Sequence, residues 1–172
     1  MKIFFSQETL SVLERTHIFV DTCVLLDFAC LKRTERDKFI DTLRKFKEKD
    51  GVFVTIMPVA TEFYLGSTQK DLEIKEKYIN QILTDILPVR LLKEEFMREL
   101  IRDYGRYAKG NISYTDLCLA TAVRQFPKSF VLTRNYKDFP LNIFDCGAVF
   151  TLHLNKEVRT YCFYSYNGKG RG

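Results

Sequence analysis

Apolar positions along the chain recur in two rhythms. Ile18-Phe19-Val20, Val52-Phe53-Val54-Thr55-Ile56 and Phe130-Val131-Leu132-Thr133 are short apolar runs of β-type residues. The second has no polar alternation, as expected for a buried parallel strand. Phe39, Ile40, Leu43 and Phe46 instead repeat at helical spacing with charges between them, which predicts an amphipathic helix. Tyr78, Ile79, Ile82, Leu83 and Ile86 predict another, and Phe96, Met97, Leu100, Ile101, Tyr104 and Ala108 a third, ended by Gly110-Asn111. Asp21-Thr22 can cap a helix starting near Cys23, and Ser113 or Thr115 a short apolar helix from Leu117 to Val123. Pro58 marks a helix start, Asp50-Gly51 a turn and Leu87-Pro88-Val89 a short strand. Ala148-Val149-Phe150 and Thr160 to Tyr166 read as late strands, and Asn167 to Gly172 as a loose tail. Residues 1–16 show no clear period. Strands alternate with helices, which predicts an α/β sandwich around a mostly parallel sheet.

Bulk properties narrow the class. A chain of 172 residues fits one domain with a substantial core. The core motifs span 18–150, and 151–172 form a strand-rich extension. Hydrophobic residues make up 46% and charged residues 28%, ordinary values for a globular protein. No apolar run approaches the roughly 20 residues a bilayer span needs. The apolar run near Met1 is too short for a signal peptide, so a cytoplasmic protein without a membrane partner is expected. Cys23, Cys30, Cys118, Cys146 and Cys162 form no CxxC pair, and His17 and His153 are the two histidines. Reduced thiols rather than a zinc cluster follow. The net charge of +5 leaves room for a polyanionic substrate.

The acidic residues add candidate chemistry. Ligands of open parallel sheets bind beyond the carboxyl ends of the strands. Asp21 directly follows the first strand, and Glu62 lies in the helix entered from the second. Asp116 opens a helix after a Ser/Thr-rich turn, and Asn135 and Asp138 follow the strand ending at Thr133. Convergent carboxylates without basic partners repel one another and resist desolvation. A divalent cation such as Mg²⁺ or Mn²⁺ relieves both costs and can activate water against a phosphate. Spacing alone leaves solvated surface acids as the competing reading.

These segments resemble the PIN domain family. Ile18-Phe19-Val20-Asp21-Thr22-Cys23-Val24-Leu25-Leu26 looks like its opening strand, Asp-Thr motif and apolar helix. Val59-Ala60-Thr61-Glu62-Phe63 matches its helix glutamate, and Ser113-Tyr114-Thr115-Asp116 with Ala120 and Ala122 its central helix. Val131 to Phe139 resembles its late strand and turn. The size is similar to VapC toxins of toxin–antitoxin pairs. The resemblance implies a three-layer α/β/α sandwich and a Mg²⁺- or Mn²⁺-dependent endoribonuclease that leaves a 5′ phosphate on structured RNA. It implies Asp21, Glu62 and Asp116 as metal ligands and catalytic carboxylates, with Asn135 or Asp138 in the fourth place. Thr133 and Thr22 become hydroxyl donors to water or phosphate. An antitoxin partner that blocks the cleft and a homodimer are also implied. Two departures stand out: Cys23 replaces the usual Asn or Ser, and Asn135 is a neutral ligand.

Other residues take lesser parts. Asp27 lies six positions after Asp21, about 120° away around a helix, and reads as structural. His17 and His153 have no partner spacing. Arg134 and Lys137 are candidate RNA-phosphate contacts. Arg102, Arg106 and Lys109 form a stripe that is either a phosphate track or a solvated face. Tyr107 and Tyr114 can stack on unpaired bases or fill core. Two alternatives to the nuclease remain: a non-catalytic PIN-like RNA-binding or assembly module, and a phosphotransferase or phosphatase. The second is disfavoured because Asp21-Thr22-Cys23 lacks the Asp-x-Asp of the haloacid-dehalogenase class.

Overall fold

The computed structural model describes residues 2–4, 16–47, 51–107, 111–154 and 157–168. Asp50, Ala108, Lys109, Gly110 and residues 169–172 lie outside them. Within the described residues, strand β1 (Lys2–Phe4) is followed by β2 (His17–Val20), then helices α1 (Thr22–Cys30) and α2 (Arg33–Lys47). Next come β3 (Val52–Ile56), α3 (Met57–Tyr64), α4 (Gln69–Ile82) and β4 (Asp85–Leu87). A 3₁₀ turn over Val89–Leu91 leads into α5 (Glu94–Tyr107), α6 (Tyr114–Gln125) and β5 (Ser129–Thr133). The long strands β6 (Phe144–His153) and β7 (Val158–Tyr166) complete the chain.

The fold is α/β, and its sheet is mixed rather than mostly parallel. Strand order is β1-β6-β7-β5-β2-β3-β4. β2 pairs in parallel with β3 and β5, and β3 with β4. β7 runs antiparallel to β5 and β6, and β1 antiparallel to β6. The physical reason is the connection. β6 and β7 are separated by a short link, which permits a hairpin but not the long crossover that parallel neighbours need.

The central strands are buried as their composition requires. Ile18, Phe19, Val20, Phe53, Ile56, Val131 and Leu132 have almost no exposed surface. β6 alternates instead, with Phe144, Ala148, Phe150 and Leu152 inward, the pattern of a strand wet on one face. A register shift falls between Cys146 and Ala148. Gly147 sits in it, and a Cβ there would meet the Phe130 ring at 3.0 Å.

Helix starts follow local chemistry. Asp21 caps α1, and Ser113 caps α6 through the Asp116 N–H. Pro58 stands in the first turn of α3. α4 begins earlier than its apolar residues suggest, because Thr68 and Asp71 form a reciprocal capping box. It also ends at Ile82, so Ile86 belongs to β4 rather than to the helix. Among the described residues no helix is long and apolar enough to cross a membrane.

Candidate active site

Four parallel strands point their carboxyl ends to one edge of the sheet. β5, β2 and β3 are consecutive there. The chain leaves β2 toward β3 on one side and returns as β5 on the other, so a crevice opens above β2. Asp21 directly follows β2, and its N–H donates to Leu132 O of β5 at 3.1 Å. α6 precedes β5 and must run back from the carboxyl edge, which puts its first turn, with Asp116, at the same edge.

Asp21 is 5% exposed. Its Oδ1 accepts the Thr22 N–H at 2.5 Å. Its Oδ2 accepts the Thr133 hydroxyl at 2.6 Å and the Cys23 thiol at 3.1 Å. Thr133 is itself fully buried and its Oγ1 accepts the Asn135 N–H at 2.9 Å. One hydroxyl thus aligns the first carboxylate and anchors the turn after β5.

Glu62 joins this group to the next. Its Oε2 accepts the Thr22 hydroxyl at 2.8 Å and its Oε1 the Thr115 hydroxyl at 2.5 Å. Each donor is the chain neighbour of another candidate carboxylate. Asp116 is 9% exposed, and its Oδ2 accepts the Ser113 hydroxyl at 2.6 Å. The Asn135 amide donates to Asp138. Asp138 is also held through its backbone, whose carbonyl accepts the buried Tyr104 hydroxyl at 2.5 Å.

The electrostatics report the same convergence. Burial above all, and with it the negative charges of Asp21, Asp138 and Glu62, raises the Asp116 carboxyl to about 6 against the Ser113 hydrogen bond. Burial raises Asp21 as well, outweighing the Thr133, Cys23 and Thr22 hydrogen bonds, with Glu62 adding repulsion. Burial and the Asp21 charge push the Cys23 thiol up to about 12, so it stands as a neutral donor to Asp21. Among the described residues, no lysine, arginine or histidine forms an ion pair with Asp21, Glu62, Asp116 or Asp138.

A set of oxygen donors without cationic partners fits a hard divalent ion in its chemistry. As the side chains stand, no group of three His, Cys, Asp or Glu among the described residues is drawn tightly enough to hold one. Glu62 spends both oxygens on hydroxyls, so joint ligation requires it to give up part of that pairing.

The basic and aromatic candidates fall less neatly. Arg134 is exposed but its guanidinium is paired with Asp27, Nε to Oδ2 at 2.8 Å. Lys137 is exposed near the turn, as are Arg102 and Arg106 on α5. Lys109, the third of that stripe, lies outside the described residues. Tyr107 and Tyr114 are 41% and 59% exposed, so neither fills core. Sequence reasoning missed Thr115, Tyr104 and Ser113's second bond. Only the N-cap signal at Ser113 and Thr115 hinted at hydroxyls there.

No family model matches the chain, and neither a curated protein nor a solved structure matches it significantly.

Proposed function

We propose that this protein is a divalent-metal-dependent endoribonuclease of the PIN type, acting as the toxin of a toxin–antitoxin pair. The observation that carries the reading is Glu62. Its carboxylate spans the hydroxyls of Thr22 and Thr115, and so ties together the segments that bear Asp21 and Asp116. Three acidic side chains from three separate parts of the chain meet at one sheet edge with no cation among their described partners. The sequence resemblance supplies the chemical class, and an α/β fold with the acids at strand ends is consistent with it.

In this reading Asp21, Glu62 and Asp116 hold Mg²⁺ or Mn²⁺, with Asp138 beside them and Asn135 holding Asp138 in place. A bound ion of this kind supplies Lewis acidity toward a phosphate oxygen and makes a water more acidic. Thr133 keeps Asp21 oriented through its 2.6 Å bond. Burial of Asp21 and Asp116 lowers the local dielectric, which strengthens their pull on a cation. Exposed Lys137 and the exposed rings of Tyr114 and Tyr136 flank the turn and helix that carry the acids, and unpaired RNA bases stack on such rings.

A second reading is a non-catalytic RNA-binding module on the same scaffold. It is favoured by the Cys23 thiol occupying an Asp21 oxygen and by the neutral Asn135. One experiment separates the two. Purified protein is incubated with total RNA, with and without Mn²⁺ or Mg²⁺, alongside Asp21→Asn and Asp116→Asn. The enzyme reading expects metal-dependent cleavage by wild type and its loss in both variants. Cleavage that survives in both variants, or no cleavage with metal present, rejects it.

A further inference from the structure

Asp27 is buried, at 7% exposure, on the first helix after Asp21. It is surrounded by donors from distant parts of the chain. Arg134 approaches with Nε at 2.8 Å and Nη2 at 3.2 Å. The Tyr161 hydroxyl donates at 2.8 Å. Arg159 Nη1 stands 3.1 Å away, without hydrogen-bond alignment. Two guanidinium groups and one phenol therefore converge on a single carboxylate, far more than a helix acid needs to be satisfied.

Arg134 is the member of this cluster closest to the candidate site. It lies between Thr133, whose hydroxyl holds Asp21 at 2.6 Å, and Asn135, whose N–H reaches that hydroxyl at 2.9 Å. Its own N–H faces the Cys23 sulfur. The root of this arginine thus lies between two residues that touch the acids, Thr133 bonded to Asp21 and Asn135 bonded to Asp138. Both acids are without an ion-pair partner among the described residues. A free guanidinium rooted there would be drawn to them, since a bidentate arginine–carboxylate pair is among the strongest charged contacts available. It points to Asp27 instead.

We propose that Asp27 is a positioning residue: it captures the Arg134 guanidinium and so keeps the carboxylates of Asp21, Asp116 and Asp138 open to a divalent cation. This inference rests on the metal-site reading above. It assigns to Arg134 a held charge rather than a mobile one, and gives the cluster of Asp27, Arg134, Arg159 and Tyr161 a task beyond joining α1, the turn after β5, and β7. In this arrangement the arginine can compete with the metal, and Asp27 decides that competition.

The test measures Mn²⁺ affinity of the full chain by calorimetry, with no assay of activity. Asp27→Asn keeps the side-chain shape and removes the charge that holds Arg134. It is expected to weaken Mn²⁺ binding by about tenfold or more, the usual scale for partners one step from a metal ligand. The double variant Asp27→Asn/Arg134→Gln removes the competing guanidinium and is expected to return to within about threefold of wild type, under 1 kcal/mol by the tenfold-per-1.4 conversion. A merely structural Asp27 gives no such rescue, so a double variant as weak as the single one overturns the proposal. Arg134→Gln alone carries the test should Asp27→Asn fail to fold. An arginine already held by Asp27 predicts little change, whereas binding about tenfold tighter, which would mean that its charge already bears on the site in the native protein, overturns the proposal. Mn²⁺ binding that Asp21→Asn abolishes but Asp27→Asn leaves untouched overturns this inference alone. No Mn²⁺ binding by wild type overturns the metal reading and this inference together.

Discussion

At the scale of the residue, Asp116 carries the clearest pH signature. Its folded-state carboxyl titrates near 6, above the ordinary value of 3.8, chiefly because it is buried and then because Asp21, Asp138 and Glu62 surround it. Between those two values the folded chain holds a proton that the unfolded chain has lost. Stability from this group therefore falls as pH rises from about 4 to about 6. Asp21 is raised too and acts in the same direction. The melting temperature of metal-free wild type, minus that of Asp116→Asn, should therefore decline across this window. A difference that stays flat or rises with pH would show that Asp116 is not a strained acid. Metal should remove the decline, because a cation takes the place of the proton.

At the scale of the element, two helix caps make a matched pair. Thr68 caps α4 in a reciprocal box with Asp71, and Ser113 caps α6 while also donating to Asp116 Oδ2 at 2.6 Å. Changing either to alanine should cost about 1 kcal/mol, seen as a melting temperature lower by roughly 2–4 °C. Only Ser113→Ala should also weaken Mn²⁺ binding, because only that hydroxyl orients a candidate ligand. Equal effects of the two variants on Mn²⁺ affinity would remove Ser113 from the site. The strand elements show why the hydrophobic pattern alone misled. Ile86 continues the helical spacing of Ile79 and Ile82 but belongs to β4. The helix stops at Ile82 because Leu83 turns extended, and parallel pairing with β3 then takes over the backbone.

At the scale of the whole molecule, the sheet edge gathers acids that have no ion-pair partner among the described residues, from segments of the chain that are far apart in sequence. A ligand that binds only the assembled edge stabilises the fold by mass action, about 2.7 kcal/mol at a hundredfold excess over Kd. Saturating Mn²⁺ should raise the melting temperature of wild type and leave Asp21→Asn almost unmoved, followed by calorimetry or near-ultraviolet circular dichroism. An equal rise in both proteins would place the metal elsewhere. The mixed sheet also bears on this edge. β7 lies beside β5, with Cys162 in register with Thr133, so the antiparallel hairpin braces the strand that delivers Thr133 to Asp21. Tyr161 and Arg159, from the same strand, brace Asp27.

Much of this was legible in the chain alone, for a local reason. Burial on both faces leaves an apolar run, and a helix start needs an oxygen-bearing cap, so β2, β3, β5 and the caps at Asp21 and Ser113 are written in neighbouring residues. The acids at strand ends could be listed the same way. What each acid meets could not. The Glu62 contact with Thr115 spans 53 positions, the Arg134 contact with Asp27 spans 107, and the Tyr161 contact with Asp27 spans 134. Helical angle placed Asp27 off the face of Asp21, but nothing in the spacing of residues predicts three donors arriving from the turn after β5 and from β7. Strand order and direction decide those meetings, and they are set by which surfaces pack and how long the connections are. The sequence by itself named the carboxylates; tertiary structure alone decided that hydroxyls would join them and that Asp27 would pair with Arg134.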